Sequence, residues 1–361
     1  MKIGIITFHR AHNYGAVLQC YALQQTLQKI SGLNVDVIDY RQPYIEDNYA
    51  VFSWRQFFRK MRSPGSLKEY IQSKNARVIR KGNFESFGKK YLHLTERCSS
   101  KSIPSDYDTY IVGSDQLWAT NHVRGMDKVY FGQFSSNSGS KKYTYAISSN
   151  RGSLEFLGKD VVKEYANSFE QLSFREKSIG NIVSLMTGRE CRQDIDPVLL
   201  TKEEDWEDVV NNKWASRNYI LVYQIGAPEG NHKLVPQKAE EIAKSQGWEV
   251  IDVTSKMVSP EDFVSLFKYA KMVLTTSFHG TAFSILFRRP FYTIKVNPII
   301  DLRAKNLLEG LDISNRQVEL SANCHEMTID YGPVHSKLSD MQQESLNYLK
   351  LIIDETVSRC K

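Results

Sequence analysis

The 361-residue sequence is poor in cysteine and has no long apolar run. Its five cysteines are scattered along the chain without a CxxC pair, which argues against a disulfide framework or a structural zinc site. The longest apolar runs, such as residues 282–287, are far shorter than the roughly 20 residues that span a bilayer. The N-terminal sequence MKIGIITF enters a strand without an apolar leader region, so we expect a cytoplasmic protein.

Familiar nucleotide and metal motifs are also absent. The sequence contains no GxGxxG fingerprint, Walker loop or HExxH motif. His9 and His12 lie three residues apart, but no carboxylate or cysteine joins them at the spacing of a metal site. We therefore expect no metal ligands and no cofactor.

The composition is that of a folded protein, with 41% hydrophobic and 24% charged residues, but its net charge of +6 is unevenly spread. Between Arg55 and Lys90 there are eleven basic and two acidic residues, so this segment carries +9 and the rest of the chain −3. Aromatic residues are interleaved with these charges, namely Trp54, Phe57, Phe58 and Tyr70. The pattern favours a docking arm for an anionic membrane or a lipid pyrophosphate, and a solvated helical hairpin fits it equally well. A nucleic-acid partner is not expected.

Alternating strand and helix patterns predict an α/β protein with two Rossmann-like, doubly wound domains facing a cleft. Strand patterns occur at residues 2–8, 34–40, 107–113, 143–148 and 171–175, and restart at 218–225, 248–253, 272–275 and 291–296. We expect an N-terminal domain over 1–200 with a basic helical insertion at about 53–95, and a C-terminal domain over 215–335. The amphipathic helix over 336–361 is expected to pack back on the first domain.

Ligands of open parallel sheets bind beyond the carboxyl ends of the strands, which draws attention to the sequence TTSFHGTAF at 275–283. Here an apolar strand ends and a helix begins. The backbone amides of Gly280 and Thr281 at the helix start predict an anion site, and His279 can act there as an acid or a base. The alternative is a helix N-terminus with a solvent-facing histidine.

Two further strand ends carry polar residues. Arg175 in SFREKS suits a carboxylate or phosphate ligand, or else an ion pair with Glu176 or a surface carboxylate. In VGSDQLW, Asp115 and the adjacent Gln116 either cap the next helix or bind sugar hydroxyls, with Trp118 stacking on a sugar face.

The loop after the first strand contains NYGAVLQ at 13–19. Asn13 and Gly15 lie where a glycine turn lets a ligand approach the backbone. A lone glycine turn falls short of a dinucleotide fingerprint. We expect both residues to contact the substrate.

In their order along the chain, five motifs resemble those of the polysaccharide pyruvyltransferase family: NYGAVLQ, GSDQLW, SFREKS, DPVLL at 196–200 and TTSFHGTAFSILFRRPF at 275–291. The resemblance runs from about Lys2 to Asn315. It implies a GT-B-like pair of Rossmann-type domains. It also implies transfer of pyruvate from phosphoenolpyruvate to two hydroxyls of one sugar, forming a cyclic ketal, in the assembly of capsule, exopolysaccharide or cell-wall polymers. A lipid-linked glycan acceptor at the inner face of the cell membrane would follow.

The resemblance also implies roles for individual residues. His279 matches the essential histidine of an Arg-x-His motif, and Arg175 matches an arginine implicated in binding phosphoenolpyruvate. Ser277 occupies the position of the motif's arginine, so one cationic contact to the donor is missing. Candidate replacements are Arg288, Arg289, Lys295 and Arg303.

Two other functions remain open at this point. A sugar-nucleotide glycosyltransferase would use the same architecture, with contacts to ribose and base in the second domain. A non-catalytic scaffold that binds glycans or lipid-linked sugars would explain the loss of the motif's arginine at Ser277.

Overall fold

Short runs of buried apolar residues build a parallel sheet in the first half of the chain. Its strands are β1 (Ile3–Ile6), β2 (Val35–Val37), β3 (Thr109–Asp115), β4 (Lys141–Ile147), β5 (Leu172–Phe174) and β6 (Cys191–Gln193). They lie in the order β2-β1-β3-β4-β5-β6, with Ile3 opposite both Val35 and Thr109. In this computed structural model, the residues described are 1–123, 125–324 and 328–359.

A second parallel sheet follows the same winding scheme. Its strands are β7 (Tyr219–Tyr223), β8 (Glu249–Asp252), β9 (Met272–Thr275), β10 (Phe291–Ile294) and β11 (Gln317–Val318), in the order β11-β10-β9-β7-β8. In both sheets the chain lays its second strand on one side of the first and then crosses to the other side. The switch points therefore lie between β1 and β3 and between β7 and β9, where open α/β sheets bind their ligands.

Helices connect the strands, as parallel pairing requires. In the first half they are α1 (Tyr14–Ser31), α2 (Pro43–Tyr49), α3 (Trp54–Lys60), α4 (Pro64–Gln72), α5 (Lys74–Tyr91), α6 (Thr120–Val123), α7 (Arg151–Leu157), α8 (Lys159–Ala166), α9 (Lys177–Thr187) and α10 (Pro197–Leu200). In the second half they are α11 (Leu234–Gln246), α12 (Pro260–Tyr269), α13 (Phe278–Leu286), α14 (Pro298–Gly310) and α15 (Tyr331–Arg359). The predicted α/β fold with two parallel sheets is confirmed.

The chain divides into two units, one comprising Met1–Leu200 with Glu344–Lys361 and the other comprising Thr201–Gln343. Helix α15 begins in the second unit and, from Glu344 onward, belongs to the first. There the Tyr348 hydroxyl donates to the carbonyl of Thr144 at 2.9 Å, and Leu349 and Ile352 are fully buried. These last turns are therefore part of the core of the first unit.

The fold contains elements that the sequence pattern did not predict. Strands β6 and β11 and helix α14 have no counterpart among the predicted segments. The basic segment forms α3, α4 and α5, a helical arrangement as its composition indicated. Across the described parts of the chain, no helix combines the length and the apolar character needed to cross a membrane.

Candidate active site

The two residues predicted to carry the chemistry lie at the switch points of their sheets. Asp115 is the last residue of β3, and His279 lies in the first turn of α13, directly after β9. Both are at carboxyl ends of strands. Asp115 belongs to the first unit and His279 to the second.

In the second unit, the first turn of α13 is tightly packed. His279 is 6% exposed and meets the ring of Phe278 edge-on at 5.2 Å, so it is not a solvent-facing histidine. Gly280 packs directly on β9, because a Cβ at this position would lie 2.1 Å from Oγ1 of Thr275. Only glycine allows the helix to start this close to the strand.

The structure corrects the role predicted for Thr281. Its amide donates to the carbonyl of Ser277 at 3.0 Å, and its hydroxyl pairs with that of Thr293 at 2.6 Å. Both polar groups are used within the fold, so Thr281 holds α13 to β10 and does not face an anion. The amides that point out of a helix N-terminus are those of its first turn, here Phe278, His279 and Gly280.

In the first unit, a buried hydrogen-bonded network joins four of the sequence motifs. Gln19 donates from Nε2 to Oγ1 of Thr7 at 2.9 Å and accepts the amide of Ser114 at 3.2 Å. The Ser114 hydroxyl accepts from Nη2 of Arg175 at 2.8 Å and donates to the carbonyl of Ala146 at 2.6 Å. Sequence reasoning did not single out Ser114 or Gln19 for the candidate site, although both lie inside the motifs.

Arg175 completes this network through a buried ion pair. Its Nη2 lies 2.9 Å from Oδ2 of Asp196, with the two side chains 4% and 0% exposed. The predicted alternatives were Glu176 or a surface carboxylate, but Glu176 accepts from the Ser148 hydroxyl at 2.9 Å and Asp196 is fully enclosed. The guanidinium therefore anchors the corner at Ser114 and Asp115 to the start of α10.

The corner itself has an unusual backbone. Gly113 has φ +143°, and a Cβ there would lie 2.0 Å from the carbonyl oxygen of Tyr145. Asp115 has φ +86°, a region that non-glycine residues rarely adopt, and is 9% exposed. Such strain persists where the surrounding structure enforces it, commonly at functional sites. Gln116 lies beside it, with Oε1 2.7 Å from Nε2 of His122 on the surface.

The structure also corrects the role predicted for Trp118. Its ring is 1% exposed, stacks on Phe131 at 4.6 Å, and donates from Nε1 to the carbonyl of Tyr130 at 3.0 Å. Both faces and the polar edge are used in the core. Trp118 therefore has no free face on which a sugar can stack.

A family model described as polysaccharide pyruvyl transferase matches residues 13–298, most of the chain. The chain belongs to this family. The match includes all five motifs, from NYGAVLQ to TTSFHGTAFSILFRRPF. A comparison with curated proteins finds no match.

Several solved structures are similar to this pyruvyl transferase family member over nearly their full lengths. UDP-N-acetylglucosamine 2-epimerase from Rickettsia bellii has 9% identity and a TM-score of 0.45, covering 98% of this chain and 97% of that chain. The E. coli heptosyltransferase WaaC with ADP has 13% identity and a TM-score of 0.36, covering 99% and 100%. MurG from Acinetobacter baumannii has 10% identity and a TM-score of 0.38, covering 99% of each chain. The family assignment rests on the family model alone.

Ser277, which the resemblance sets at the position of a motif arginine, is the N-cap residue of α13 and is 3% exposed. Arg288 is exposed just beyond the other end of this helix, nine residues from His279, or roughly 13 Å at 1.5 Å per residue. It therefore does not stand in for the missing arginine. Arg303 lies on α14, which packs against α13, and remains a candidate.

The other proposed replacements are engaged elsewhere in the second unit. Lys295 pairs with Glu319 at 2.9 Å, and Nε of Arg289 donates to the carbonyl of Phe287 at 2.8 Å. The first contact is exposed and the second is local. Neither places its cation at the start of α13.

The NYGAVLQ motif forms a helix start and not an open glycine turn. Asn13 caps α1, its Oδ1 accepting the amide of Ala16 at 3.2 Å, and Gly15 lies within the first helical turn. Gly15 thus lies in the first turn of a helix and not in an open turn, and contact of its backbone with the substrate stays a prediction.

His9, a buried histidine in the same loop, is hydrogen-bonded to a carboxylate within the fold. Nε2 of His9 lies 3.0 Å from Oδ1 of Asp39, and Arg41 contacts the same carboxylate at 2.8 Å. Although burial opposes it, hydrogen bonds from His9 and Arg41 hold the pKa of Asp39 well below its ordinary value. Within residues 1–123, 125–324 and 328–359, no three His, Cys, Asp or Glu side chains form a group suited to a metal ion.

Proposed function

We propose that this protein transfers pyruvate from phosphoenolpyruvate to two hydroxyls of a sugar in a polysaccharide precursor, forming a cyclic ketal. The observation that carries the proposal is the family match over residues 13–298, which includes His279 at the switch point of the second sheet. The products of such enzymes enter capsule, exopolysaccharide or cell-wall polymers.

The chemistry balances without an external reductant or oxidant. A sugar hydroxyl adds through its oxygen to C2 of phosphoenolpyruvate while C3 gains a proton and becomes a methyl group. The C2–O bond to phosphate then breaks, releasing inorganic phosphate and leaving an oxocarbenium ion. A second hydroxyl adds to C2 and loses its proton, which closes the ketal. Because these additions and the loss of phosphate involve no redox change and need only acid–base catalysis and charge stabilisation, we propose that no cofactor takes part.

We propose that His279 carries the proton between the sugar hydroxyl and the donor. Its place in the first turn of α13 puts it beside amides that the helix dipole makes favourable for an anion. A histidine ring can both donate and accept a proton, as a proton carrier requires. Because Gly280 has no side chain, the start of this helix can lie close to β9.

We propose that Asp115 serves the acceptor. Its carboxylate stands at the end of β3, and in the described residues no hydrogen bond to its side chain is formed by the protein itself. A carboxylate that accepts no hydrogen bond from the protein can accept hydrogen bonds from sugar hydroxyls. Arg175 then acts by holding the corner through Ser114, and direct contact with phosphoenolpyruvate remains a prediction for it.

The test is turnover with phosphoenolpyruvate and lipid-linked glycan acceptors, followed by phosphate release and mass spectrometry. We expect one phosphate released for each acceptor that gains about 70 Da, the mass that the ketal chemistry adds. Consumption of a sugar nucleotide, with the gain of a whole sugar, would instead establish the glycosyltransferase alternative. Binding of glycans without turnover of either donor would establish the scaffold.

We also propose a peripheral contact with an anionic membrane, made by the basic segment of α3, α4 and α5. Among the described residues, six of the twelve large apolar side chains with high exposure lie here, and Phe52 comes just before them: the six are Trp54, Phe58, Met61, Ile71, Val78 and Ile79. Phe52 and Trp54 meet at 5.0 Å, and Trp54 stacks on Phe58 at 5.7 Å. An exposed aromatic cluster surrounded by positive charge suits a lipid headgroup region better than open solvent. An acceptor carried by a lipid would be found at such a surface.

A further inference from the structure

A second group of polar and aromatic side chains lies over the carboxyl end of the first sheet. His12 follows β1, and its ring stacks on Phe84 of α5 at 5.4 Å and meets Tyr49 of α2 at 4.9 Å. Arg80 precedes Phe84 by four residues on α5, so the two share one face of that helix. The stacking of Phe84 on His12 therefore brings Arg80 to the same place.

Arg80 differs from its neighbours in how its guanidinium is used. Its Nε is buried without a hydrogen-bond partner among residues 1–123, 125–324 and 328–359, although the residue as a whole is half-buried. Arg77, one turn earlier, donates to the carbonyls of Val51 and Tyr70 and lies over the Tyr70 ring at 4.0 Å. A buried N–H group that makes no hydrogen bond is costly and marks a place where an acceptor belongs.

The charges near this cluster leave Arg80 in excess. Arg10 pairs with Glu46 at 3.1 Å and with Glu85 at 3.5 Å, and Lys81 pairs with Glu85 at 3.8 Å. No carboxylate in the described chain lies within ion-pair distance of Arg80. The local field is consequently positive at the end of β1.

The pKa of His12 reflects its burial and these positive charges. Burial, and then the positive charges of Arg80, Arg10 and Lys81, lower the pKa of His12 to about 3. His12 is thus neutral at physiological pH and offers a ring nitrogen without adding charge. Arg80 is left as the cation that has no partner.

Tyr49, which contacts the His12 ring, lies close enough to Arg80 and to Asp115 for both charges to act on it. Burial raises the pKa of Tyr49. The positive charge of Arg80 lowers this pKa and the negative charge of Asp115 raises it. An arginine suits a phosphate, a carboxylate suits hydroxyl groups, and an aromatic ring suits the apolar face of a sugar. A sugar phosphate contains all three of these ligand groups: a phosphate, hydroxyl groups and an apolar face.

We propose that His12, Tyr49 and Arg80, at the switch point between β1 and β3, bind the phosphate of a phosphorylated sugar, with Asp115 taking its hydroxyls. The assignment to the acceptor rests on the proposed function, whereas the oxyanion site itself does not. The same phosphate chemistry is presented by a glycosyl pyrophosphate and by phosphoenolpyruvate.

The experiment is isothermal titration of the full-length protein with inorganic pyrophosphate at low salt. Arg80→Gln should weaken binding by about tenfold or more, as expected for loss of a charged hydrogen-bond contact. Arg80→Lys should keep part of the affinity, since it preserves the charge without the planar fork. Lys74→Gln removes one exposed charge from the same helix and should change affinity less than about twofold.

Absence of pyrophosphate binding to the folded wild-type protein would overturn the proposal. An equal loss in Arg80→Gln and Lys74→Gln would do so too, because it would mean diffuse attraction to the basic segment. Melting curves of each variant ensure that a loss of binding is not a loss of fold. Titration with phosphoenolpyruvate then separates the sources: Arg80→Gln weakens it if the site holds the donor's phosphate, and leaves it unchanged if the site holds the acceptor's. None of these measurements requires pyruvyl transfer.

Discussion

At the scale of single residues, the ion pair between Arg175 and Asp196 has the largest energetic consequence. Both side chains are enclosed, so removing the cation takes the ion-pair partner away from a buried carboxylate. We expect Arg175→Ala to lower the free energy of unfolding by about 3–5 kcal/mol, measured by denaturant titration. The variant Arg192→Ala breaks the pair with Asp194, in which the carboxylate is buried but the arginine is 34% exposed, and it should cost less.

Arg175→Lys separates the structural role from the predicted donor contact. If the guanidinium only holds the Ser114–Asp115 corner, the folded variant should lose kcat with KM for phosphoenolpyruvate little changed. A rise in KM alone would show that Arg175 contacts the donor directly.

His279 is the residue whose loss should affect chemistry most. We expect His279→Ala to reduce turnover by roughly 10²–10⁴-fold, the usual range for a lost acid–base group, with a smaller effect on donor binding. The exposed His232 of the same unit provides a control, and His232→Ala should retain activity. Near-normal turnover by His279→Ala would remove His279 from the mechanism.

His12 gives the fold a measurable sensitivity to acid. The unfolded chain protonates this residue near its ordinary pKa of 6.5, whereas the folded protein does so only at about 3. The stability contribution is thus present above pH 6.5 and is lost as the pH falls toward 3. In His12→Phe, which keeps the contacts with Phe84 and Tyr49, the pH dependence of the unfolding free energy between pH 6 and 4 should be shallower. The slopes of the unfolding free energy against pH in the wild type and in His12→Phe should differ by up to about 1.4 kcal/mol per pH unit. Identical slopes would contradict this prediction.

Trp118 shows why residue roles were harder to predict than their positions. The sequence located it just after a strand, and the structure agrees. Whether its ring faces a ligand or the core depends on Phe131 and Phe174, which come later in the chain and close over it. No local pattern contains that information. The pairing of Arg175 with Asp196 is non-local in the same way, with strand β6 between the two residues.

At the scale of elements, the central strand β9 and the helix that follows it were predicted well, whereas helix α14 and the short edge strands were not. The helix expected directly after the strand at 272–275 is α13, which runs from Phe278 to Leu286, and β9 has its predicted bounds. Strands β6 and β11 have three and two residues and are not fully buried. Strands of two or three residues are too short to show a readable periodicity. Their pairing depends on the neighbouring strand already being in place.

The junction of β9 with α13 should be intolerant of any side chain at Gly280. We expect Gly280→Ala to destabilise the protein by about 1–3 kcal/mol or more, since the new methyl group meets Thr275 and the helix start must move. Gly310→Ala at the end of α14 serves as the control, because its Cβ would meet only Met341 at an ordinary 3.6 Å. Thermal melting of the two variants, together with activity, provides the measurement. Equal melting temperatures would show that the junction can relax.

At the scale of the whole molecule, charge and exposed apolar surface coincide in one region. We expect the protein to bind vesicles that contain phosphatidylglycerol at low salt, and to release them as salt is raised. Reversing two exposed charges with Arg59→Glu and Arg62→Glu should weaken binding at least about tenfold, given about 1 kcal/mol per basic residue near an anionic surface. The pair Trp54→Ser and Phe58→Ser tests the aromatic cluster in the same co-sedimentation assay.

Leu185 supplies the control for that assay, because it is 83% exposed and lies outside the basic segment. Leu185→Ser should bind vesicles like the wild type. If the wild-type protein ignores anionic vesicles at low salt, the basic segment is a solvated helical hairpin.

The division of α15 between the two units has a consequence for the order of synthesis. The residues of the first sheet leave the ribosome early, but the turns of α15 that cover them, with Tyr348, Leu349 and Ile352, emerge only after the entire second unit. At synthesis rates of about 5–20 residues per second, that interval is on the order of ten seconds. Throughout it the nascent first unit presents an uncovered apolar surface to the cell. A fragment ending at Leu200 would keep that surface permanently, so we expect it to be captured by chaperones or to aggregate.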